Sequence, residues 1–348
     1  MAAIPEQRQP AVTGIVDLHE RVDSRSLMAD ALLRLMRNRA AVVGAIVIAA
    51  NILMAVFAPV IAPKDYDDAI LSDNNAVPLW MTTVFPNMKP RSEGGYVVIS
   101  EDYILGADAL GRDLLSRIIY GSRISLGVAF VGPLIALTVG LIVGITAGYI
   151  GGAVDNLLMR FVDVMYAFPT YLLIILLMAF FRSSFGEHQP GTLAYLLSQL
   201  DSAMGGLLFV FIGIGLTSWM GMARLARGQV LSVRGKEYIE AAIAVGAKTP
   251  AILVRHVLPN IIGPLIVAET LSIPGYISYE AFLSFIGLGV TPPTPSWGSM
   301  IAEGARVIQP YPYQAVFPAL ALFLVMFAFN FLGDGLRDAL DPRMRGVD

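Results

Sequence analysis

Long stretches without a charged residue alternate with short polar segments along this chain. A helix that spans a lipid bilayer needs about 20 predominantly apolar residues, and six stretches approach or exceed that length. Only Glu269 and Glu280 interrupt the fifth of them. The stretches are residues 40–63, 124–154, 164–181, 202–223, 257–290 and 307–333. The pattern predicts an all-α, polytopic membrane protein with six transmembrane helices and with both termini on the same side.

Composition supports a membrane protein and narrows its chemistry. Hydrophobic residues make up 56% of the 348 and charged residues 15%, with a mean hydropathy of +0.66, values outside the range of ordinary soluble domains. The net charge of −3 gives no reason to expect a nucleic acid partner. Cysteine is absent, and His19, His188 and His256 are far apart in sequence, so we expect neither thiolate chemistry nor a histidine metal site.

Basic residues orient the predicted helices. Of the 24 Lys and Arg residues, 16 fall on the side that holds the termini, and the positive-inside rule places that side in the cytoplasm. Because polar residues precede the first apolar run, we expect a signal anchor rather than a cleavable signal peptide. The predicted divisions are a cytoplasmic segment (1–38), a first transmembrane helix (39–63), an extracytoplasmic loop with an amphipathic helix (64–123), a five-helix core (124–335) including a cytoplasmic loop (236–260), and a cytoplasmic tail (336–348).

Two features are expected at the outer surface. The segment LGRDLLSRIIYGSRIS places apolar side chains on one side of a helix, with Arg112 and Arg117 largely on the other. This predicts an amphipathic helix that lies along the membrane surface. Further along, TPPTPSWGSM combines three prolines with Trp297, which indicates a rigid re-entry with an interfacial tryptophan anchor.

Glycines and charged residues within the apolar stretches indicate how the helices pack. Gly140, Gly144, Gly148 and Gly152 recur at every fourth position and form one helical face that lets a neighbouring backbone approach closely. Arg160 and Asp163 are three positions apart, so we expect them to form an ion pair near the cytoplasmic end of the third span.

Glu269 and Glu280 are the acidic residues inside the fifth stretch. They are eleven positions apart, about three turns of a straight helix, and would share a face unless Pro274 and Gly275 kink it. One alternative is that both residues lie on a solvated translocation path or at an interface with a partner. The other is that neighbouring helices donate hydrogen bonds to both carboxylates. The sequence leaves these alternatives open.

The polar stretch EYIEAAIAVGAKTPAILVRHVLPN separates two predicted spans. Its helical pattern ends at Val245, and Gly246 readily adopts the left-handed conformation that ends helices. Thr249 and Pro250 suit the cap and first position of a second short helix, which should run until Pro259. The stretch therefore predicts a bent pair of short helices that could transmit movement from a cytoplasmic partner to the membrane.

This stretch resembles the EAA loop of permease subunits of type I ABC importers. The matching residues are Glu240, Ala241, Ala242, Gly246, Leu258 and Pro259, while His256 stands where the broad family pattern has isoleucine. LGADALGRDLLSRIIYGSRISL, YEAFLSFIGLGVTPPTPSWGSM and NFLGDGLRDALDPR resemble further blocks of the dipeptide, oligopeptide and nickel branch, and the long outer loop is similar to that of its C-type subunit. The resemblance covers about residues 28–346; residues 69–100 are longer than the family pattern.

The resemblance implies a type I permease fold and a division of labour. Two cytoplasmic ATPases would dock on the loop through Glu240 and its neighbours, a second permease would complete the translocation path, and an external binding protein would deliver the cargo. Dipeptides or oligopeptides are the expected cargo, and a nickel chelate or another small solute is the alternative. The resemblance also implies the inner membrane of a bacterium or archaeon.

No motif in the chain itself predicts an enzyme. A phosphate-binding Gly-x-x-x-x-Gly-Lys-Ser/Thr loop, a nucleophile elbow and a metal-ligand cluster are all absent from the sequence, so we expect a non-catalytic subunit without a cofactor. A self-sufficient secondary transporter would show inverted halves with paired broken helices, whereas the sequence shows one kinked span and no clear repeat. A membrane hydrolase would need histidine or paired Asp within the spans, or a serine with a base, and the predicted spans lack histidine. These two classes are the less favoured alternatives to a permease subunit.

Overall fold

A computed structural model describes residues 27–184 and 191–340 of the chain. Within these ranges the fold is built of helices, and the only β structure consists of three isolated bridges. The first 26 residues of the predicted cytoplasmic segment, His188, and the last eight residues of the predicted tail lie outside the described ranges.

Fourteen α-helices follow one another in the described ranges. They are α1 (Leu27–Arg37), α2 (Arg39–Val56), α3 (Ala58–Ile61), α4 (Leu79–Val84), α5 (Leu114–Ile150), α6 (Gly152–Tyr166), α7 (Thr170–Ser184), α8 (Leu193–Ala203), α9 (Leu207–Arg234), α10 (Glu237–Ala244), α11 (Thr249–Ile252), α12 (Leu258–Phe285), α13 (Trp297–Ala305) and α14 (Tyr313–Leu340). A π-helical turn, Leu253–Val257, joins α11 to α12.

The number of helices suited to a membrane agrees with the predicted six spans. Among the described residues, α2, α5, α9, α14 and the continuous helix from α11 to α12 are each long and apolar enough to cross a bilayer. The pair α6 and α7, bent by 82°, supplies the sixth if it is counted as one broken span. The break falls before Pro169, because a residue that precedes proline is disfavoured in helical conformation.

The predicted third span is corrected by this break. Its helix begins at Gly152 rather than at Val164, so Arg160 and Asp163 lie inside α6 and not in a connection between spans. Short helices on both sides of a bend expose the backbone groups of the turn, and these are tolerated at membrane depth only where protein or water surrounds them.

Helices α5 and α9 form the most extensive helix pair and run parallel. Gly140 lies against Met222, Gly144 against Ala226, and Gly148 against Val230; the three glycines therefore pack as expected from their spacing. Gly152 does not belong to this seam. It begins α6, and no atom lies within 4 Å of where its Cβ would be.

The segment predicted to be a surface helix is the first part of α5. Asp113 caps that helix, since its carboxylate accepts hydrogen bonds from the backbone N and the Oγ of Ser116, at 2.7 and 2.6 Å. The prediction was wrong because Ser116 and Arg117 on the polar face are as buried as Leu114 on the apolar face. Protein rather than water covers the polar face.

Residues 57–113 fold into a small subdomain at the end of the bundle where α5 begins, which we call the loop end. Val77, Met81, Met88 and Val97 are each at most 1% exposed and form its core. The stretch 69–100 is therefore packed structure rather than a loose extension. The Tyr96 hydroxyl donates to the backbone oxygen of Pro310 at 2.8 Å, which fastens the subdomain to the segment before α14.

Two aromatic residues are buried at the loop end. Trp297, the first residue of α13, is completely buried, and its indole N–H donates to the backbone oxygen of Ile118 at 3.0 Å; it is not the interfacial anchor that the sequence predicted. Tyr103 donates to Asp73 at 2.9 Å. Burial and the contact with Asp73 raise the pKa of the Tyr103 hydroxyl well above its usual range.

The second short helix of the polar stretch is not separate. Residues Thr249–Phe285 form one continuous helix that leads from the end of the bundle opposite the loop end, which we call the α10 end, back across the bundle. Pro259 does not end it, because the π-helical turn Leu253–Val257 just before it already interrupts the regular ladder of α-helical hydrogen bonds.

Candidate functional site

Helix α10 is held to the bundle by one side. Ile239 is completely buried and packs in a cluster with Val230 and Val233 of α9 and with Ile252 of α11. A fully buried isoleucine side chain contributes about 1.5–3 kcal/mol relative to an exposed one. This contact makes α10 a firmly attached element rather than a free loop.

The outer side of α10 is open. Glu240 and Ala241 are exposed, whereas Ala242 is half-buried against the Ile239 cluster. Ile243 is 55% exposed and Val245 is 89% exposed. These two residues were not predicted from the sequence, although an isoleucine and a valine outside the buried face of a short amphipathic helix indicate an exposed apolar surface.

Gly246 ends α10 in the left-handed conformation, as predicted. Its φ is +84°, and its N–H donates to the backbone oxygen of Ile243 at 2.9 Å. No atom lies within 4 Å of where a Cβ would be. Glycine is therefore favoured at this position by the backbone conformation, and not because a side chain would lack space.

A groove of about 460 Å³ lies beside α10, and its lining joins the ends of α5 and α9 to α10. Tyr149 comes from α5, Arg234 from α9, and Glu240 and Ile243 from α10. Of the six residues expected to dock a partner, Glu240 lines the groove. Leu258 and Pro259, half-buried and exposed respectively, lie at the start of α12 beyond the bend.

A second cavity of about 460 Å³ lies between the broken span, α9 and α12. Glu269 lines it and is 3% exposed, and the hydroxyl of Tyr276 donates to its Oε1 at 2.6 Å. Tyr166, the last residue of α6, forms part of the lining as well. The break in the third span and the acidic residue of the fifth are thus brought to one place.

Glu280 has entirely different surroundings. Its carboxylate is completely buried and accepts hydrogen bonds from Ser125 of α5 at 3.2 Å and from Ser284 of its own helix at 2.7 Å. Ser296, just before α13, hydrogen bonds Ser284 at 3.2 Å. These contacts join three helices around one carboxylate. They correspond to the alternative, left open by the sequence, in which neighbouring helices donate hydrogen bonds to the glutamate.

Asp163 forms an ion pair across helices. Its partner is Arg224 of α9 at 2.6 Å, whereas the sequence had predicted a pair with Arg160 on the same helix. Arg160 is exposed on α6. A second pair joins the same two helices, since Arg227 binds both oxygens of Asp155 at 2.6 and 2.7 Å. Tertiary contact has replaced the local pairing.

Four charged residues at the loop end form a cluster that was not predicted from the sequence. Arg117 contacts Asp108 and, at 2.8 Å, Glu303 of α13. Arg112 binds the same two carboxylates, at 2.7 and 3.1 Å. The sequence gives little indication of this cluster, because Glu303 is almost 200 positions away from its partners.

The chemistry of these sites is that of binding and movement. Within residues 27–184 and 191–340, no group of three His, Asp or Glu side chains could hold a metal ion. In the same ranges, the hydrogen bond recorded for the Glu269 carboxylate comes from the Tyr276 hydroxyl. The groove at α10 and the cavity at Glu269 therefore remain the two candidate sites.

Comparisons with known proteins give a consistent result. Residues 140–346 match the family model described as "Binding-protein-dependent transport system inner membrane component", and residues 26–78 match "N-terminal TM domain of oligopeptide transport permease C". The chain is 39% identical to the oligopeptide transport system permease protein OppC of Haemophilus influenzae, over 93% of this chain and 91% of the relative.

Two relatives from Bacillus subtilis cover a similar length. OppC is 36% identical over 99% of this chain and all of the relative, and the dipeptide transport system permease protein DppC is 36% identical over 92% and 88%. A solved structure of the MetNI methionine ABC transporter in an inward facing conformation aligns with 63% of this chain and 95% of its own, with a TM-score of 0.46 and 19% identity. That likeness is too weak to support an inference about this chain.

Proposed function

This chain belongs to the family of inner membrane components of binding-protein-dependent transport systems, and from that premise we propose that it imports dipeptides or oligopeptides as one of two permease subunits. The family consists of transport permease subunits, which are the non-catalytic part of ABC importers; partner subunits hydrolyse ATP. Peptide cargo is proposed because curated relatives of nearly full length carry the names of oligopeptide and dipeptide permeases.

The observation that carries the proposal is the way α10 is attached. Its buried residue Ile239 fixes it to α9 and α11, while Glu240, Ala241 and Ile243 stay open at the end of the bundle. A rigid, exposed helix with an apolar patch suits docking into a cleft of another protein. We assign the docking role to Glu240, Ala241, Ala242 and Gly246, with Leu258 and Pro259 at the connection to α12.

Docking at this place would act directly on the membrane helices. The helix Thr249–Phe285 begins three residues after Gly246, where the chain bends, and it carries Glu269 and Glu280. Because a helix transmits displacement along its axis, movement of a docked ATPase displaces the residues that line the membrane cavity. In this proposal the ATPases lie in the cytoplasm, so the α10 end and both termini are cytoplasmic, as the basic residues indicate.

The acidic residues receive separate roles. We assign Glu269 to the translocation path, because it lines a cavity between three membrane segments. Glu280 is a helix-interface residue, because Ser125 and Ser284 satisfy it. Asp163 acts as an interhelical clamp with Arg224, and Arg160 remains a candidate for contact with a partner because it is exposed.

Copurification tests the assembly. The chain would carry a C-terminal tag, be extracted gently from native membranes, and be identified with its partners by mass spectrometry. We expect two ATPases, a second permease and an extracytoplasmic binding protein. Small molecules released from that binding protein should be peptides; release of another solute class would overturn the cargo, and recovery of this chain without any ATPase, also after crosslinking in membranes, would overturn the importer role.

A matched pair of variants locates the docking surface. Ile243→Asp places a charge on the exposed patch of α10, whereas Leu71→Asp makes the same change at a residue that is 72% exposed in the loop-end subdomain. We expect Ile243→Asp to remove the ATPases from the copurified complex and Leu71→Asp to retain them. Retention of the ATPases by both variants would contradict docking at α10.

A further inference from the structure

The described lining of the cavity beside Glu269 contains an acidic side chain without a basic side chain to balance it. Of the described residues that line it, Glu269 is the only one with a charged side chain. A carboxylate in a confined site of low dielectric is costly unless a cation or hydrogen-bond donors accompany it. Tyr276 supplies one donor, and the cavity leaves room for another group beside the carboxylate.

Three hydroxyl groups that line the cavity donate their own protons to other groups and so can act as acceptors toward a ligand. Thr217 donates its proton to the backbone oxygen of Ile214 at 3.0 Å, and Ser272 donates to the backbone oxygen of Ala268 at 2.9 Å. Tyr276 donates to Glu269 at 2.6 Å. Each hydroxyl oxygen still has lone pairs to accept with, so the lining favours a ligand that brings several N–H donors.

Nearby cations do not supply that charge. Arg224 lies against Tyr166 of the lining, with its guanidinium 4.1 Å from the ring centroid. It binds Asp163 at 2.6 Å, so the pair is neutral as a unit. The aromatic rings of Tyr276 and Tyr279, which also line the cavity, suit a cation that comes from a ligand.

We propose that Glu269, with Tyr276 and the acceptor hydroxyls of Thr217 and Ser272, forms a transit site for a primary ammonium group of the transported peptide. An ammonium has three donors and no acceptor, and this lining offers a carboxylate and hydroxyl oxygens around one cavity. The peptide's amino terminus and a lysine side chain present the same group. The inference rests on the proposed peptide cargo and extends it to a site within this subunit.

The test uses the assembled transporter without its binding protein, so that selection by that protein does not enter. Trialanine with a photoreactive group at its C-terminal end, its N-acetylated form, and N-acetylated Ala-Lys-Ala with the same group are crosslinked to the complex. The measured quantity is the ratio of labelling by an ammonium-bearing peptide to labelling by acetylated trialanine. This ratio does not depend on how much complex has assembled.

Four variants separate charge from structure. Glu269→Gln removes the charge and keeps the shape, and Glu93→Gln makes the same change at an exposed residue of the loop-end subdomain. Ser272→Lys introduces a cation three positions from Glu269 on the same helix, where it can pair with that carboxylate. Ser272→Met matches the length of the lysine without its charge.

We expect the wild-type ratio to fall about tenfold in Glu269→Gln and in Ser272→Lys, the change that corresponds to about 1.4 kcal/mol in binding. Glu93→Gln should retain it, and Ser272→Met, which removes one acceptor hydroxyl but leaves the Glu269 carboxylate free of a cation, should lower it less than Ser272→Lys does. A Glu269-dependent ratio for trialanine assigns the site to the amino terminus, and one for the lysine peptide assigns it to any primary ammonium.

Uptake in proteoliposomes with the binding protein present distinguishes failure of the transit site from failure of the proposed function. If the wild-type complex imports peptide and the labelling ratio is unchanged in both Glu269→Gln and Ser272→Lys, the transit site is overturned and the proposed function stands. If the wild-type complex imports no peptide, the cargo and the transit site are overturned together.

Discussion

Glu269 and Glu280 lie eleven positions apart on one helix, yet Glu269 lines a cavity whereas Glu280 is completely buried against Ser125 of a neighbouring helix. Their spacing alone had given both residues the same alternatives. The structure separates them, because a serine on α5 and a serine on α12 both donate to Glu280.

The first prediction concerns stability. Glu280→Ala removes the acceptor of two buried hydroxyls, and each buried polar group left without a partner costs about 1–3 kcal/mol. Glu269→Ala leaves the Tyr276 hydroxyl beside a cavity where water can replace the lost carboxylate. We expect a clear loss of melting temperature for Glu280→Ala in the purified complex, and a smaller loss for Glu269→Ala. Equal losses would contradict the separate roles.

The second prediction concerns the bend after α10. Gly246→Val places a β-branched residue at a φ of +84°, a strain of about 1–3 kcal/mol, and should shift α10 relative to α12. We expect ATP-dependent transport to fall much more than ATP hydrolysis, which separates coupling from catalysis by the partner subunits. The measurement is uptake and phosphate release in the same proteoliposomes.

Two controls accompany Gly246→Val. Gly246→Asn should retain most of the coupling, because asparagine tolerates the left-handed conformation better than other non-glycine residues. Gly228→Val introduces the same side chain at an open helical position of α9, away from the groove beside α10. Uncoupling by the asparagine variant or by Gly228→Val to the same degree would show that the conformation of Gly246 is not responsible.

The third prediction concerns the seam between α5 and α9. A Cβ at position 144 would lie 2.5 Å from the backbone oxygen of Ala223 and 2.6 Å from the Cβ of Ala226. Gly144→Ala should therefore destabilise the subunit by about 1–3 kcal/mol through overpacking. Gly228→Ala on α9, where no atom lies within 4 Å, should leave stability unchanged or raise it by up to about 1 kcal/mol. The measurement is the melting temperature of each variant. A lower melting temperature for both variants would indicate that close packing between α5 and α9 does not cause the destabilisation.

The fourth prediction concerns the cluster at the loop end. Arg117→Ala removes a guanidinium that is 2% exposed and contacts Asp108 and Glu303. Breaking a buried ion pair costs about 3–5 kcal/mol, and the partial exposure of Glu303 reduces the loss here. We expect faster proteolysis within residues 57–113, because the cluster fastens this subdomain to α13.

The control for this cluster is Arg91→Ala, which removes an exposed arginine from the same subdomain. It should leave the cleavage rate unchanged, since exposed charges contribute little to stability. Protection of residues 57–113 that persists in Arg117→Ala would show that the apolar core around Met81 and Met88 suffices to hold the subdomain.

Elements with local causes were predictable from the sequence. Hydropathy over about 20 residues indicated the membrane spans, since lipid leaves the backbone few alternatives to a helix. The spacing of Gly140, Gly144 and Gly148 indicated a close helix contact, and Gly246 indicated a helix end, because both depend on the absence of a side chain. The motif around Glu240 predicts a docking segment, and that role stays a prediction; its signal from Glu240 to Gly246 is local as well.

Tertiary structure alone decided which polar groups meet. Asp163 pairs with Arg224, 61 positions away, rather than with Arg160 on its own helix, and Arg117 is covered by α13 rather than by water. Periodicity shows which side of a helix is polar but not what lies against it. Glu269 and Glu280 are both glutamates on the same helix. The neighbouring elements that pack around each of them determine whether its carboxylate faces a cavity or a serine.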